Sequence, residues 1–203
     1  MILGMNPEIE ELFGKQGGVA TSGQILIRMT RRQFDNAVNC GVLERVRQGI
    51  YCLGEPTDEL RLRGLDLSSG TTVSVCLGTA AALYGFDTEN TADLHVLNPP
   101  GGQIRCADGL VVHRRDGAPQ VMINDRPVTS AAWTAVEVAR GLRRPRALAT
   151  LDAALRSQTC GRGEIWRAAV EQAGRRGIVA VRELIALADP LAESPMIVKR
   201  GWP

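Results

Sequence analysis

Lysine is almost absent from this sequence. Of its 24 basic residues only Lys15 and Lys199 are lysine, and the others are arginine. That bias matches the codon usage of a GC-rich genome, so the abundance of arginine says little and its placement says more. A lysine-dependent nuclease has only those two residues to draw on. Histidine is scarce as well, at two residues, and aromatic side chains make up 4%. Cys40, Cys52, Cys76, Cys106 and Cys160 are odd in number and form no C-x-x-C pair. This argues against a disulfide scaffold and a zinc knuckle, and for reduced, mostly buried thiols in the cytoplasm. Met1-Ile2-Leu3-Gly4-Met5 has neither a basic leader nor a proper apolar stretch, so no secretory signal is expected. The longest uncharged run, Leu67 to Phe86, is interrupted by Ser68, Ser69, Gly70, Thr71, Thr72, Ser74, Gly78, Thr79 and Gly85. It reads as buried core, and no membrane partner is expected.

What is present is 203 residues, 44% hydrophobic and 23% charged, enough for one large domain or two small ones. The net charge of +2 hides an uneven distribution. Residues 1–53 hold six basic and five acidic groups, and 54–93 hold two and seven. Residues 94–139 balance at four each, 140–182 hold ten and three, and 183–203 hold two and three. An acidic middle is thus followed by a basic helical region.

The pattern predicts an α+β protein of two domains, 1–56 and 57–203. Pro7 opens a first helix with Ile9, Leu12 and Phe13 on one face and Glu8, Glu10 and Glu11 in the opening turn; Gly17-Gly18 ends it. Thr21-Ser22-Gly23-Gln24 and Thr30-Arg31-Arg32-Gln33 are capping boxes for a second and a third helix, the third ending at Gly41. Val42 to Leu53 then gives two short β-type runs around Gln48-Gly49. Glu55-Pro56-Thr57-Asp58 begins a polar linker, with a second unit from near Leu65. That unit combines strands over about 71–124 with helices over about 130–189. Its strand-like pieces are Thr71–Val75, Asp93–Asn98, Leu110–Arg115 and Val121–Asn124, and a short Ala-rich helix capped by Thr79 closes at Gly85. The later helices carry stripes at Trp133, Val136 and Ala139; Leu148, Leu151 and Leu155; Ile165, Trp166, Ala169 and Val170; and Val181, Leu184, Ile185 and Ala188. Trp133 and Trp166 are both expected in the core.

Three helices followed by a hairpin is the layout of a winged helix-turn-helix. On the third helix Phe34 and Val38 pack inward, leaving Arg31, Arg32, Asp35, Asn36 and Asn39 outside. Arg is bidentate to guanine and Asn to adenine, and the helix N-terminus offers N–H groups to phosphate. Arg31, Arg32 and Asn36 are therefore the candidate base readers, with Thr30, Gln33 and Asn39 beside them. Arg28 in the turn, and Arg45 and Arg47 on one face of the hairpin, are candidates for phosphate. The plain alternative is a solvated helix face, with Gln33 occupied by its cap and Asp35 and Glu44 opposing phosphate. Arg140, Arg143, Arg144 and Arg146 form a further basic cluster, with Arg175 and Arg176 later. They serve either as cations at helix ends or as a second DNA-backbone or partner contact.

Enzymatic sets are missing. Asp87-Thr88-Glu89 has paired-carboxylate spacing but no Gly-Ser lead-in for a nucleotidyltransferase, and Gly14-Lys15-Gln16 does not make a P-loop. His95 and His113, on adjacent strands without a Cys at ligand spacing, read as structural histidines. No catalytic residue, metal site or cofactor is expected.

Several runs resemble the AbiEi family of antitoxins. These are Gly18-Val19-Ala20-Thr21, Thr30-Arg31-Arg32 and, most specifically, Leu43-Glu44-Arg45-Val46-Arg47-Gln48-Gly49-Ile50-Tyr51. The likeness continues through Gly78 to Phe86, Pro127-Val128-Thr129-Ser130 and Asp189 to Met196. The resemblance implies the antitoxin half of a two-gene cassette whose partner is a nucleotidyltransferase-type toxin. It also implies repression of the cassette's own operon, through inverted repeats upstream of the gene bound as double-stranded DNA. The C-terminal mixed α+β part, ending in helices, would be the antitoxin domain. Some family members continue past Ser194-Pro195-Met196 into a restriction-endonuclease-like domain, whereas this sequence runs to Pro203, so that extension is not expected here. The competing reading is a winged-helix interaction module or regulator with no toxin partner.

Overall fold

The structure, a computed structural model, describes residues 7–86, 92–107 and 109–191. Asp87-Thr88-Glu89, Met1–Met5 and Ala192–Met196 lie outside the described residues. The chain is a mixed α+β protein made of two compact units, 1–73 and 74–203.

In the first unit the capping chemistry decides where helices begin. Helix α1 (Pro7–Lys15) buries Ile9, Leu12 and Phe13, with Glu8 and Glu10 in its first turn. Strand β1 (Val19–Thr21) leads into α2 (Ser22–Leu26), and the turn after it into α3 (Arg31–Asn39). Both helices carry the expected reciprocal boxes, Thr21 with Gln24 and Thr30 with Gln33. Strands β2 (Leu43–Arg47) and β3 (Ile50–Leu53) form the hairpin, and β1 pairs antiparallel with β3 to give the order β1-β3-β2. Ile9, Leu12, Phe13, Ala20, Ile25, Phe34 and Leu43 make one core, with Phe34 edge-on to Tyr51 at 5.0 Å.

The expected polar linker at 55–58 is instead the cap of a helix. Thr57 caps α4 (Asp58–Ser69), with Asp58 and Glu59 in its first turn and Gly70 at φ 70 ending it. Val46, Leu60 and Leu67 pack with Val19, Ile50 and Cys52, so α4 covers the sheet face away from α3. The compact units consequently divide at Val73/Ser74 rather than at 56/57. Gly64 is needed in α4 because a Cβ there would meet Val46 Cγ1 at 2.8 Å.

In the second unit α5 (Leu77–Leu83) is followed by β4 (Leu94–Leu97), β5 (Leu110–His113), β6 (Gln120–Ile123) and β7 (Arg126–Thr129). β4 and β5 are parallel, and β6 and β7 form a tight antiparallel hairpin. Asn124 and Asp125, at φ 48 and 61, supply the two left-handed residues its turn requires. The expected strand at 71–75 is reduced to Val75, which bridges Val96 on one side and Val128 on the other and so joins the two ribbons. Thr79 does not cap α5. Cys76 holds the N-cap position, and Thr79 Oγ1 accepts the His95 N–H instead. Helices α6 (Ala131–Ala139), α7 (Arg144–Arg156), α8 (Arg162–Glu171) and α9 (Ile178–Leu187) complete the unit. Their buried stripes meet in one core around Val136, Leu151, Ile165, Val181 and Ile185. Trp133 is buried as expected, but Trp166 is 37% exposed and Val170 61%. The inward face of α8 is Ile165, Ala168 and Ala169, one step round the helix from the expected stripe. None of the described helices is long and apolar enough to cross a membrane.

Candidate functional site

Helix α3 presents the candidate recognition face. Phe34 is anchored in the core, which turns Arg31, Arg32, Asp35, Asn36 and Asn39 to solvent. Arg32, Asn36 and Asn39 fall at i, i+4 and i+7, so they form one polar stripe. Their side chains make no hydrogen bond or ion pair among the described residues. The other candidates are partly committed. Arg31 Nε pairs with Asp35 at 3.1 Å, and its guanidinium lies 5.7 Å from the Phe34 ring centroid. Gln33 Oε1 accepts from the Thr30 N–H and hydroxyl at 2.8 Å each, so only its Nε2 is left for a ligand. Thr30 in turn accepts the Gln33 N–H. Arg28 is half-buried and donates to the Gln24 carbonyl at 3.0 Å, which ties it to the end of α2.

Arg45 and Arg47 do not share a strand face. The β2–β3 register slips between them, placing Arg45 opposite Tyr51 and Arg47 opposite Ile50. Consecutive residues of β3 point to opposite faces, and cross-strand partners share a face. The extra residue, Val46, turns inward onto α4. Arg45 thus lies on the α3 side, while Arg47 sits at the hairpin tip beside Gln48-Gly49.

In the second unit the C-terminal basic cluster is largely tied up. Arg144 pairs with Glu183 at 2.9 Å, and Arg140 with Glu137 at 3.4 Å. Arg143 stands exposed at the N-cap of α7, and Arg146 is half-buried. Other arginines of the region cap helix ends. Arg162 donates to the Ile185 carbonyl at 2.6 Å and to that of Ala188, and Arg182 to that of Ala169 at 3.0 Å.

The group that sequence reasoning missed is Glu137. Its side chain is fully buried, and Arg115 Nε, Arg140 Nη2 and Arg175 Nη1 all bond its Oε1. Glu137 Oε2 and Arg140 Nε are buried without a hydrogen-bond partner among the described residues. Arg175 also lies 4.9 Å from the Trp133 ring centroid. The signal was available: Glu137 is the one charge in the apolar run Ala131–Ala139, four residues after the buried Trp133.

His95 and His113 are stacked on the parallel strands, with Nδ1 of the first 2.9 Å from Nε2 of the second. Burial lowers the affinity of both for a second proton. His113 falls to about 4, through burial first, then His95 and Arg115. Because the folded pKa lies below the ordinary 6.5, the contribution to stability is present above pH 6.5 and is lost as pH falls towards 4. The urea midpoint of the second unit should accordingly drop between pH 7 and pH 5, and His113→Gln should flatten that drop. An equal drop in the variant would assign it to other groups.

A cavity of about 340 Å³ lies among α6, α8 and β6, lined by Tyr84, Val121, Ser130, Cys160, Arg167 and Glu171 among others. Burial pushes the Cys160 thiol up to about 11 and the Tyr84 hydroxyl to about 12, so both stay protonated at neutral pH. Among the described residues, no three His, Cys, Asp or Glu side chains gather into a set able to hold a metal ion.

Comparison with known proteins adds three findings. Two curated proteins of Mycobacterium tuberculosis, the uncharacterized proteins MT2308 (strain CDC 1551) and Rv2248 (strain H37Rv), are each 58% identical over 168 residues. That is 83% of this chain but 62% of theirs, so the chain spans less than two thirds of the relatives' length. The crystal structure of the RV2827C protein from the same organism matches with a TM-score of 0.62 at 16% identity. It covers 90% of this chain and 76% of that one, a likeness of fold. The model of the AbiEi antitoxin C-terminal domain matches residues 73–187, which takes in nearly all the described part of the second unit. The chain belongs to the AbiEi family of antitoxins.

Proposed function

We propose that this chain, besides its antitoxin role in a toxin–antitoxin system, represses its own operon by sequence-specific binding of double-stranded DNA. On this reading the first unit is a winged helix-turn-helix. Helix α3 enters the major groove and the β2–β3 hairpin is the wing. The observation that carries the reading is the exposed Arg32, Asn36 and Asn39 stripe, without a partner among the described residues, on a helix whose opposite face is locked by Phe34. A base-reading side chain must be carried on a fixed helix face and left open to a ligand, and among the described residues these three have no other partner. Arg45 and Arg47 would meet phosphate, with Thr30 and the N-terminus of α3 beside them. Arg31 would read bases only by exchanging Asp35 for a base edge. The toxin partner would be a nucleotidyltransferase-type protein, as the family resemblance implies. The chain itself would work by binding, without catalysis or a cofactor, in the cytoplasm.

A mobility shift with the DNA upstream of the gene, against random DNA at two salt concentrations, tests the repressor. Tight binding confined to the upstream fragment supports it; equal binding to both fragments, or none, makes the first unit a protein-interaction module. Arg32→Ala should cost about 1–3 kcal/mol on the upstream fragment and relax preference at one base pair. Arg47→Ala should weaken all DNA alike and reduce the salt slope by about one. Losses of the same size on both DNAs for both variants would remove this division of labour.

A further inference from the structure

The arginines around Glu137 carry more charge than that carboxylate balances. Arg115, Arg140 and Arg175 all bond its Oε1, and no second carboxylate bonds any of them among the described residues. A guanidinium stays charged at any ordinary pH. Three of them against one carboxylate leave two positive charges at one spot. Two of the contacts are 3.4 Å and end on the same oxygen, so Arg140 Nη2 and Arg175 Nη1 are at most 6.8 Å apart (twice 3.4). The three side chains keep 26%, 17% and 27% of their surface in solvent, so the cluster is not sealed from outside. Arg140 Nε is buried and has no hydrogen-bond partner among the described residues.

We propose that Arg115, Arg140 and Arg175 bind a doubly charged phosphate group, that of inorganic phosphate or a phosphate monoester. Glu137 is the resident counter-ion that gathers the three guanidiniums in advance. Charge matching selects the ligand. A monoester carries close to two negative charges at neutral pH, and a phosphodiester of DNA carries one. Forked guanidiniums suit phosphate oxygens, with several charge-assisted hydrogen bonds converging on one group. The site lies wholly in the second unit and does not depend on the operator-binding reading. Three independent elements supply it: Arg115 follows β5, Arg140 ends α6, and Arg175 lies in the α8–α9 connection.

Arg175 over Trp133 supplies the readout. In the full chain carrying Trp166→Phe and Trp202→Phe, Trp133 is the one indole. Inorganic phosphate is titrated to about 10 mM at constant ionic strength, beside chloride and beside duplex DNA without terminal phosphates. The expected result is a saturable change in Trp133 emission with phosphate alone, with calorimetry on the natural sequence giving the same midpoint. Arg175→Ala and Arg115→Ala should each weaken phosphate about tenfold or more. If Arg115→Ala fails to fold by circular dichroism, Arg175→Lys replaces it, since an ammonium keeps charge without the fork and should weaken phosphate less than Arg175→Ala does. No saturable response to phosphate overturns the proposal. So does an equal response to chloride or the duplex, or unchanged affinity in Arg175→Ala.

Discussion

Glu137→Ala should destabilise the second unit by about 3–5 kcal/mol, the range for removing one partner of a buried ion pair. The size follows from what is left behind. Glu137 is fully buried and is the shared acceptor of Arg115, Arg140 and Arg175. Without it three guanidiniums face one another in a partly desolvated place, and each loses its charge-assisted bond. Against a typical net stability of about 5–15 kcal/mol, that is a large share. Glu137→Gln keeps the shape and one acceptor oxygen but not the charge, so it should fall between wild type and Glu137→Ala. Arg175→Ala should cost least, because it relieves part of the charge surplus while removing one cation–π contact with Trp133. Urea denaturation read on the second unit's own transition checks the order, since two compact units need not unfold together. A Glu137→Ala variant within about 1 kcal/mol of wild type would mean the cluster is a solvated surface network.

The elements that were legible in the sequence are those specified locally. Thr21 with Gln24 and Thr30 with Gln33 start helices by side-chain chemistry within four residues, and both boxes formed where the spacing put them. The stripes of α1, α6 and α9 likewise announce their buried faces, whereas in α7 only Leu151 of the expected Leu148, Leu151 and Leu155 is buried, and the helix is covered almost continuously from Ala149 to Ala154. What was not legible depends on partners far away in the chain. Helix α4 has little amphipathic contrast, and its opening reads as a polar loop until Val46, Ile50 and Gly64 are seen to pack. Val75 joins two ribbons through single bridges, which no period-two pattern reveals. The slip at Val46 is invisible in Leu43-Glu44-Arg45-Val46-Arg47, whose alternation promised both arginines on one face.

The same division runs through the candidate sites. The outward set on α3 could be read from helical spacing alone, because Phe34 fixes which way the helix faces. What spacing could not tell is which polar side chains are already engaged. Asp35 claims Arg31, the cap claims Gln33 and the Gln24 carbonyl claims Arg28. In the second unit the basic stretch reads in sequence as one cluster, but Arg144 is engaged by Glu183, and Arg140 and Arg175 by Glu137. A lone carboxylate on an apolar helix was the better pointer, because burying it is costly unless cations surround it.

Gly177→Ala should be the most damaging glycine substitution in the second unit, by about 2–5 kcal/mol. Two separate costs combine there. Gly177 sits at φ 85 as the N-cap of α9, a conformation that penalises any Cβ. Its Cβ would also stand 2.4 Å from the Arg140 carbonyl oxygen and 3.3 Å from the carbonyl carbon, backbone atoms that cannot swing aside. Relief requires the start of α9 to draw away from the end of α6, where Arg140 reaches Glu137. Gly174 separates the two costs, since it has nearly the same φ, 81, with nothing within 4 Å of its Cβ. Gly174→Ala should therefore show the conformational penalty alone, about 1–2 kcal/mol. Gly163, inside α8 with open space around it, should gain about 0.5–1 kcal/mol as alanine. Thermal or urea melts of the three variants should rank Gly163→Ala above wild type, Gly174→Ala below it and Gly177→Ala lowest. If Gly177→Ala and Gly174→Ala cost the same, the close approach of α9 to Arg140 contributes nothing, and the arginine cluster is positioned by its own ion pairs rather than by the helix packing beneath it.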